Sequence, residues 1–134
     1  MHISVIDYGS GNLKSAAKAL EVAASNINAI SKIEVTSDPK TIKQSDKIVL
    51  PGQGSFRDCY LSIKRISGLN ETLNEFVLEK KKPILGICVG MQLFAKVGHE
   101  SQKTNGFGWI DAEVRKINNM NKKLKLPHMG WNEI

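Results

Sequence analysis

A chain of 134 residues with 41% hydrophobic and 24% charged residues can bury a sizeable core, and it reads as one soluble globular domain over residues 1–134. No apolar run approaches the ~20 residues of a membrane span, and the start, MHISVIDYGSGN, lacks the basic and long apolar regions of a secretory signal, so a cytoplasmic location is expected. The net charge of +6 is spread along the chain, with no aromatics interleaved among the lysines, so neither nucleic acid nor a membrane is expected as a partner.

Taken in chain order, HISVID is a β-rich run that ends in the turn signal YGSGN. NLKSAAKALEVAA has helical spacing, with Leu13, Ala16, Ala17, Leu20 and Ala24 on one face. KIEVTSD reads as a second strand, and DKIVLPGQGSF as a third that runs into a Gly-rich loop. FRDCYLSIKRI and LNETLNEFVLEKK follow as helices. PILGI is a short, fully apolar strand, and VGMQLFAKV reads as the helix after it. Beyond Thr104 the pattern changes: GFGWIDAEVRKI and KLKLPHMGWNEI read as short strands, a hairpin region joined by the polar turn NNMNKK.

Strands alternating with helices predict an α/β fold, a flavodoxin-like doubly wound and mostly parallel sheet followed by that hairpin region. In such sheets functional groups gather beyond the carboxyl ends of the strands. Three Gly-rich loops, YGSGN, PGQGS and GICVG, fall at those ends. The two cysteines, Cys59 and Cys88, have no CxxC spacing and are expected as free thiols. No GxGxxG or Walker pattern is present, and neither a metal nor a cofactor is expected.

GICVG fits the pattern Gly-x-nucleophile-x-Gly with Cys88 in the nucleophile's place. A sharp strand-to-helix turn leaves little room for side chains beside the nucleophile, which suits Gly86 and Gly90. The turn presents the sulfur near the amino end of the next helix, whose partial positive charge suits an anion. The N–H of Val89 would point at the oxyanion formed when the thiolate attacks a carbonyl. The same motif also suits an inert, buried cysteine in a tight turn. LPGQGSF adds a loop whose exposed N–H groups, at Gly52 and Gln53, could complete an oxyanion hole, or form an ordinary β-to-α turn. Elbow and loop together on a parallel sheet point to acyl transfer through a covalent cysteine adduct.

The segments DYGSGNLKS, LPGQGSF, GICVGMQLF, GFGWIDAEV and PHMGWNEI, spread over almost the whole chain, resemble the class I, triad-type glutamine amidotransferases. DYGSGNL and PHMGWN resemble, within that family, the glutaminase subunits of histidine biosynthesis. The resemblance implies hydrolysis of glutamine to glutamate and ammonia. The ammonia would pass to a TIM-barrel cyclase, partner in a heterodimer, that makes imidazole glycerol phosphate and the aminoimidazole ribotide AICAR.

It also implies roles. Cys88 matches the nucleophile, Gln92 a residue that contacts glutamine, and Glu100 an acidic residue that holds the substrate's amino group. Glu100 could equally be a solvated charge at a helix end. Gly52 and Gln53 match the oxyanion strand, although the family often has an apolar residue in place of Gln53. Asn12, Met129, Trp131 and Asn132 match segments that face the cyclase, while Met129 and Trp131 could equally be core.

A cysteine nucleophile needs a base and an acid to orient it. His2 falls at the amino end of the first strand, the wrong edge. His99 follows Cys88 by eleven residues, at the far end of the expected helix, roughly 15 Å away. The resemblance assigns His128 to structure and interface, and places the family's base and acid in a later His-Pro-Glu segment. The chain is therefore expected to be a C-terminally incomplete domain, without glutaminase turnover on its own. Other readings are an amidotransferase serving a different synthase, a flavodoxin-like module in which YGSGN cradles a phosphate, and a regulatory partner of the cyclase without chemistry.

Overall fold

The computed structural model describes residues 1–29, 32–118, 125–127, 129–131 and 133. Strand β1 (His2–Ile6) leads to helix α1 (Leu13–Asn26), strand β2 (Lys32–Thr36), helix α2 (Pro39–Gln44) and strand β3 (Lys47–Gly52). Helices α3 (Phe56–Arg65) and α4 (Leu69–Asn74) follow, the latter continuing into a π-helical turn, Glu75–Glu79. Strand β4 (Ile84–Cys88) then meets the single turn α5 (Val89–Gln92). The first sheet has the order β2-β1-β3-β4 and every pairing in it is parallel. This is the α/β arrangement expected, with the strand order of a flavodoxin-like sheet as far as β4.

Alternation along each strand divides the packing between the faces. Ile3, Val5 and Val49 meet Leu13, Ala16, Ala17 and Leu20 of α1 on one face. Ile6, Ile48 and Leu50 meet Ile42, Phe56, Cys59, Ile63, Leu69, Leu73 and Phe76 on the other. Helix α1 thus buries the face expected from its spacing. Helix α2 was not expected. Its start is nevertheless written locally: Asp38 caps the N–H groups of Lys40 and Thr41, and Pro39 occupies the first turn.

One element differs in kind. VGMQLFAKV is not a helix throughout: the helix stops at Gln92, and Ala95–His99 form strand β5. β5 pairs antiparallel with β6 (Lys103–Asn105) and parallel with β7 (Ile110–Arg115), making a second, three-stranded sheet. The reason lies in burial. Ala95 and Val97 point inward while Lys96 is exposed, a period of two. Gly98 and Gly106 lie so close to the Phe56 ring that a Cβ at Gly98 would come 2.6 Å from its Cγ. Strand β7 forms where GFGWIDAEVRKI predicts a strand, but its partner is β5. The second arm of the expected hairpin falls largely on residues outside those described, as does the turn at 119–124.

On α4's continuation, Glu75 accepts from Lys43 and Lys80 at 2.7 and 2.8 Å. Those bonds, led by Lys43, lower its pKa from 4.5 to about 2. A depressed carboxylate stabilises the fold above its unfolded pKa, and that stability is lost as the pH falls through the folded value. In thermal unfolding followed against pH, Glu75→Gln should therefore flatten the slope between about pH 4.5 and 2 and leave the neutral region nearly unchanged. Molar salt should shrink the difference, because the group is exposed. Parallel acid limbs in the two proteins would contradict the role of this pair of lysines.

Candidate active site

The carboxyl ends of β1, β3 and β4 lie side by side, so the three Gly-rich loops meet at one edge of the sheet. In the parallel ladder Gly52, the last residue of β3, is the register partner of Cys88, the last of β4. Cys88 has φ 56° and ψ −119°, a backbone conformation that costs a non-glycine residue energy. Its thiol is exposed, which excludes the inert buried cysteine, whereas Cys59 is buried. Val89 is the first residue of α5 and its side chain joins the core, holding the turn in place.

The elbow is docked backbone to backbone on the end of β3. A Cβ on Gly90 would fall 1.9 Å from the Leu50 carbonyl oxygen, and one on Gly52 would fall 2.4 Å from the Gly90 nitrogen. Gly86 is equally confined, 2.4 Å from the Met91 Cα. Both flanking glycines of the elbow are therefore required by close approach rather than by φ.

Two residues of DYGSGN that sequence reasoning did not single out organise the loop at 51–54. The buried Tyr8 hydroxyl donates to the Pro51 carbonyl at 2.5 Å. Burial, then the neighbouring Cys59, pushes the Tyr8 pKa far above its ordinary value, so the phenol stays a donor. The Ser10 hydroxyl donates to the Gln53 carbonyl at 2.7 Å and accepts from the Gln53 N–H at 2.9 Å. The Cys59 thiol adds a contact to the same carbonyl at 3.3 Å. In this state the Gln53 N–H is engaged by Ser10. The local signal was thin: a Tyr and a Ser in a turn, acting on partners 43 residues away.

The remaining expected residues separate into two groups. Gln92, at the end of α5, and Glu100, just after β5, line one cavity of about 380 Å³ together with His99, Val114, Arg115 and Lys116. Glu100 is not a free helix-end charge: its carboxylate accepts from the Phe56 N–H at 2.8 Å, at the start of α3. His99 lies on β5 rather than on a helix, so the helical separation reckoned for it does not describe the chain's path. Its ring is 3.2 Å from Glu113. His2 lies at the amino edge, 3.2 Å from Glu34. Asn12, by contrast, caps α1, accepting from the Ser15 N–H at 3.1 Å. Met129 and Trp131 are almost wholly exposed and belong to no core. Asn132 and His128 lie outside the described residues. Among the described residues no cluster of His, Cys, Asp and Glu could hold a metal ion, and no helix is long and apolar enough to cross a membrane.

This arrangement of an exposed thiol on a strained strand-to-helix turn, next to a glycine-bearing strand end, is that of a cysteine acyl-transfer enzyme. The family model described as "Glutamine amidotransferase class-I" matches residues 4–133. The chain belongs to the class I glutamine amidotransferase family. It is 54% identical over 135 residues to the imidazole glycerol phosphate synthase subunit HisH of Pelagibacter ubique, covering 100% of this chain and 63% of that protein. The proteins of the same name from Bradyrhizobium diazoefficiens and Brucella suis are 49% and 46% identical over 134 residues, each again covering 100% of this chain and 62% of the relative. The chain thus spans somewhat less than two thirds of the length of these curated relatives.

The docking of the elbow yields a stability prediction. Gly90→Ala has no room for its methyl group and should cost at least about 2 kcal/mol in denaturant unfolding. Gly54→Ala meets open space and carries only the strain of φ +98°, so it should cost about 1 kcal/mol. Equal midpoints for the parent and Gly90→Ala would contradict the close approach to Leu50.

Proposed function

We propose that this protein acts as the glutaminase subunit of imidazole glycerol phosphate synthase. It would hydrolyse glutamine to glutamate and ammonia in the cytoplasm. The ammonia would be delivered to a TIM-barrel cyclase subunit that makes imidazole glycerol phosphate and AICAR in histidine biosynthesis. The observation that carries the reading is Cys88 held at a left-handed φ beside Gly52, on the edge where three Gly-rich loops converge.

The Cys88 thiolate attacks the side-chain amide carbon of glutamine, forming a C–S bond and a tetrahedral oxyanion. The N–H of Val89 and a peptide N–H from Gly52 or Gln53 stabilise that charge. Collapse breaks the C–N bond and releases ammonia, which takes up a proton. Water then cleaves the thioester, giving glutamate and restoring the thiol. Turnover also needs a base to take the thiol proton. Among the described residues nothing is hydrogen-bonded to the Cys88 sulfur, and the family's His-Pro-Glu segment does not occur within residues 1–134. Gln92 and Glu100 hold the amino-acid end of the substrate. Asn12, Met129, Trp131 and Asn132 face the cyclase, where the exposure of Met129 and Trp131 gives apolar surface to bury.

The decisive experiment uses the protein together with its cyclase. Cys88→Ala should abolish glutamine-dependent synthesis and leave synthesis from added ammonia unchanged. Retained glutamine dependence would refute the nucleophile. A second measurement concerns the loop. The hydrogen bond from the Gln53 N–H to Ser10 competes with the oxyanion, and a net hydrogen bond is worth about 0.5–1.5 kcal/mol. Ser10→Ala should therefore speed single-turnover acylation of Cys88 by glutamic acid γ-p-nitroanilide by about two- to tenfold. A slower acylation would mean that the hydroxyl supports the productive loop instead.

A further inference from the structure

The cavity beside Gln92 carries charges of both signs on facing elements, and the roles assigned above use only part of it. One wall is Gln92, His99 and Glu100, from α5 and β5. The other is Val114, Arg115 and Lys116, from the end of β7. Parallel pairing of the strands makes His99 and Arg115 register partners. At about 380 Å³ the cavity is of small-molecule size. Gln92 is four residues beyond Cys88 on a helical turn, so at ~1.5 Å per residue the cavity begins roughly 6 Å along the axis from the nucleophile.

Arg115 is held rather than loose. Its Nε donates to a Glu113 carboxylate oxygen at 2.8 Å, its Nη2 donates to the same oxygen, and His99 approaches that oxygen at 3.2 Å. The Arg115 hydrogen bond, more than any other cause, lowers the Glu113 pKa, so the carboxylate stays charged as an anchor. A guanidinium has five N–H donors. One carboxylate oxygen engages two of its nitrogens here, which leaves donors for a second carboxylate. Glu100 on the opposite wall is fixed in its turn by the Phe56 N–H.

We propose that Arg115 is a substrate-binding residue that takes the α-carboxylate of the amino-acid substrate, while Glu100 across the cavity takes its α-ammonium group. The inference rests on the glutaminase reading and deepens it. A zwitterion matches the pair of fixed, opposite charges. A ligand that lacks either charge leaves one wall charge without its partner. Arg115 rather than Lys116 has the role because Glu113 orders its planar donors before the ligand arrives, and a bidentate pairing requires that order.

The test follows alkylation of Cys88 in the 134-residue chain by a chloroketone analogue of glutamine, with iodoacetamide as a reagent that has no amino-acid end. In the parent, the analogue at low concentration should label Cys88 faster than iodoacetamide, and glutamine should protect. Arg115→Gln should slow labelling by the analogue about tenfold or more, without changing the iodoacetamide rate. Arg115→Lys should recover part of the loss. A second arm needs no variant: 4-aminobutanamide, which is glutamine without its α-carboxylate, should protect the parent at least about tenfold less well than glutamine. Equal protection by the two amides, or labelling of Arg115→Gln by the analogue at the parent's rate, overturns the inference and leaves the glutaminase reading standing. A parent that glutamine does not protect overturns both.

Discussion

The close approach of the Gly90 backbone to the end of β3 is the constraint from which the rest of the site follows. With no side chain at 90, the turn after Cys88 settles against the Leu50 carbonyl and the Gly52 backbone. That contact places the strained Cys88 beside the strand whose peptide groups must face it. The strain at φ 56° persists because its surroundings determine it on both sides: the β4 ladder before it and the buried Val89 after it. A larger residue at 90 would push the elbow off the sheet, and the thiol would lose the geometry that distinguishes it from Cys59.

The loop at 51–54 has almost no regular structure of its own, and β1 supplies its order. Tyr8 fixes the Pro51 carbonyl, and Ser10 grips both polar groups of Gln53. Buried polar groups in such a network are stiff when satisfied, because each would lose a partner on moving. The grip on Gln53 is the weaker point. Ser10 is a side chain on an exposed turn, and its hydroxyl can rotate to other partners, whereas the Tyr8 phenol is buried and stays protonated. The loop is thus rigid at its start and adjustable at Gln53, one residue beyond the strand.

Much of this was legible in the sequence. Alternating strands and helices, three Gly-rich loops and the spacing of GICVG placed Cys88, Gly52 and Val89 at one edge of a parallel sheet, and all three are there. The legible features are local: a period of two or of 3.6, or a glycine at a fixed offset. What was missed depends on distant partners. Ala95–His99 continues an apolar run after a helical turn, so periodicity alone extends the helix. It becomes a strand because Gly98 and Gly106 close on Phe56, from α3, and because β7 pairs with it. Misplacing β5 also misplaced His99, and it hid the cluster of His99, Glu113 and Arg115, whose members meet only through the parallel pairing. Tyr8 and Ser10 carried no signal for the same reason: their partners are 43 residues away.

The two sheets divide the work of a covalent mechanism. The first holds what must not move during bond formation, the nucleophile and the strand end beside it. The second carries the groups that recognise the amino-acid end of a substrate. Glu100 joins them physically, since it belongs to the second sheet's first strand turn and accepts its hydrogen bond from the first residue of α3. A carboxylate tied to a helix amino end is anchored by a charge-assisted bond and by the helix dipole. Its direction is set by the fold before any ligand arrives, so binding does not have to pay to order it. The same logic applies to Arg115, whose anchor is Glu113. Each recognition charge has its own protein partner, and each keeps hydrogen-bonding capacity beyond that partner. A substrate that satisfies both is placed relative to Cys88 by two fixed points, which is what a near-attack geometry requires.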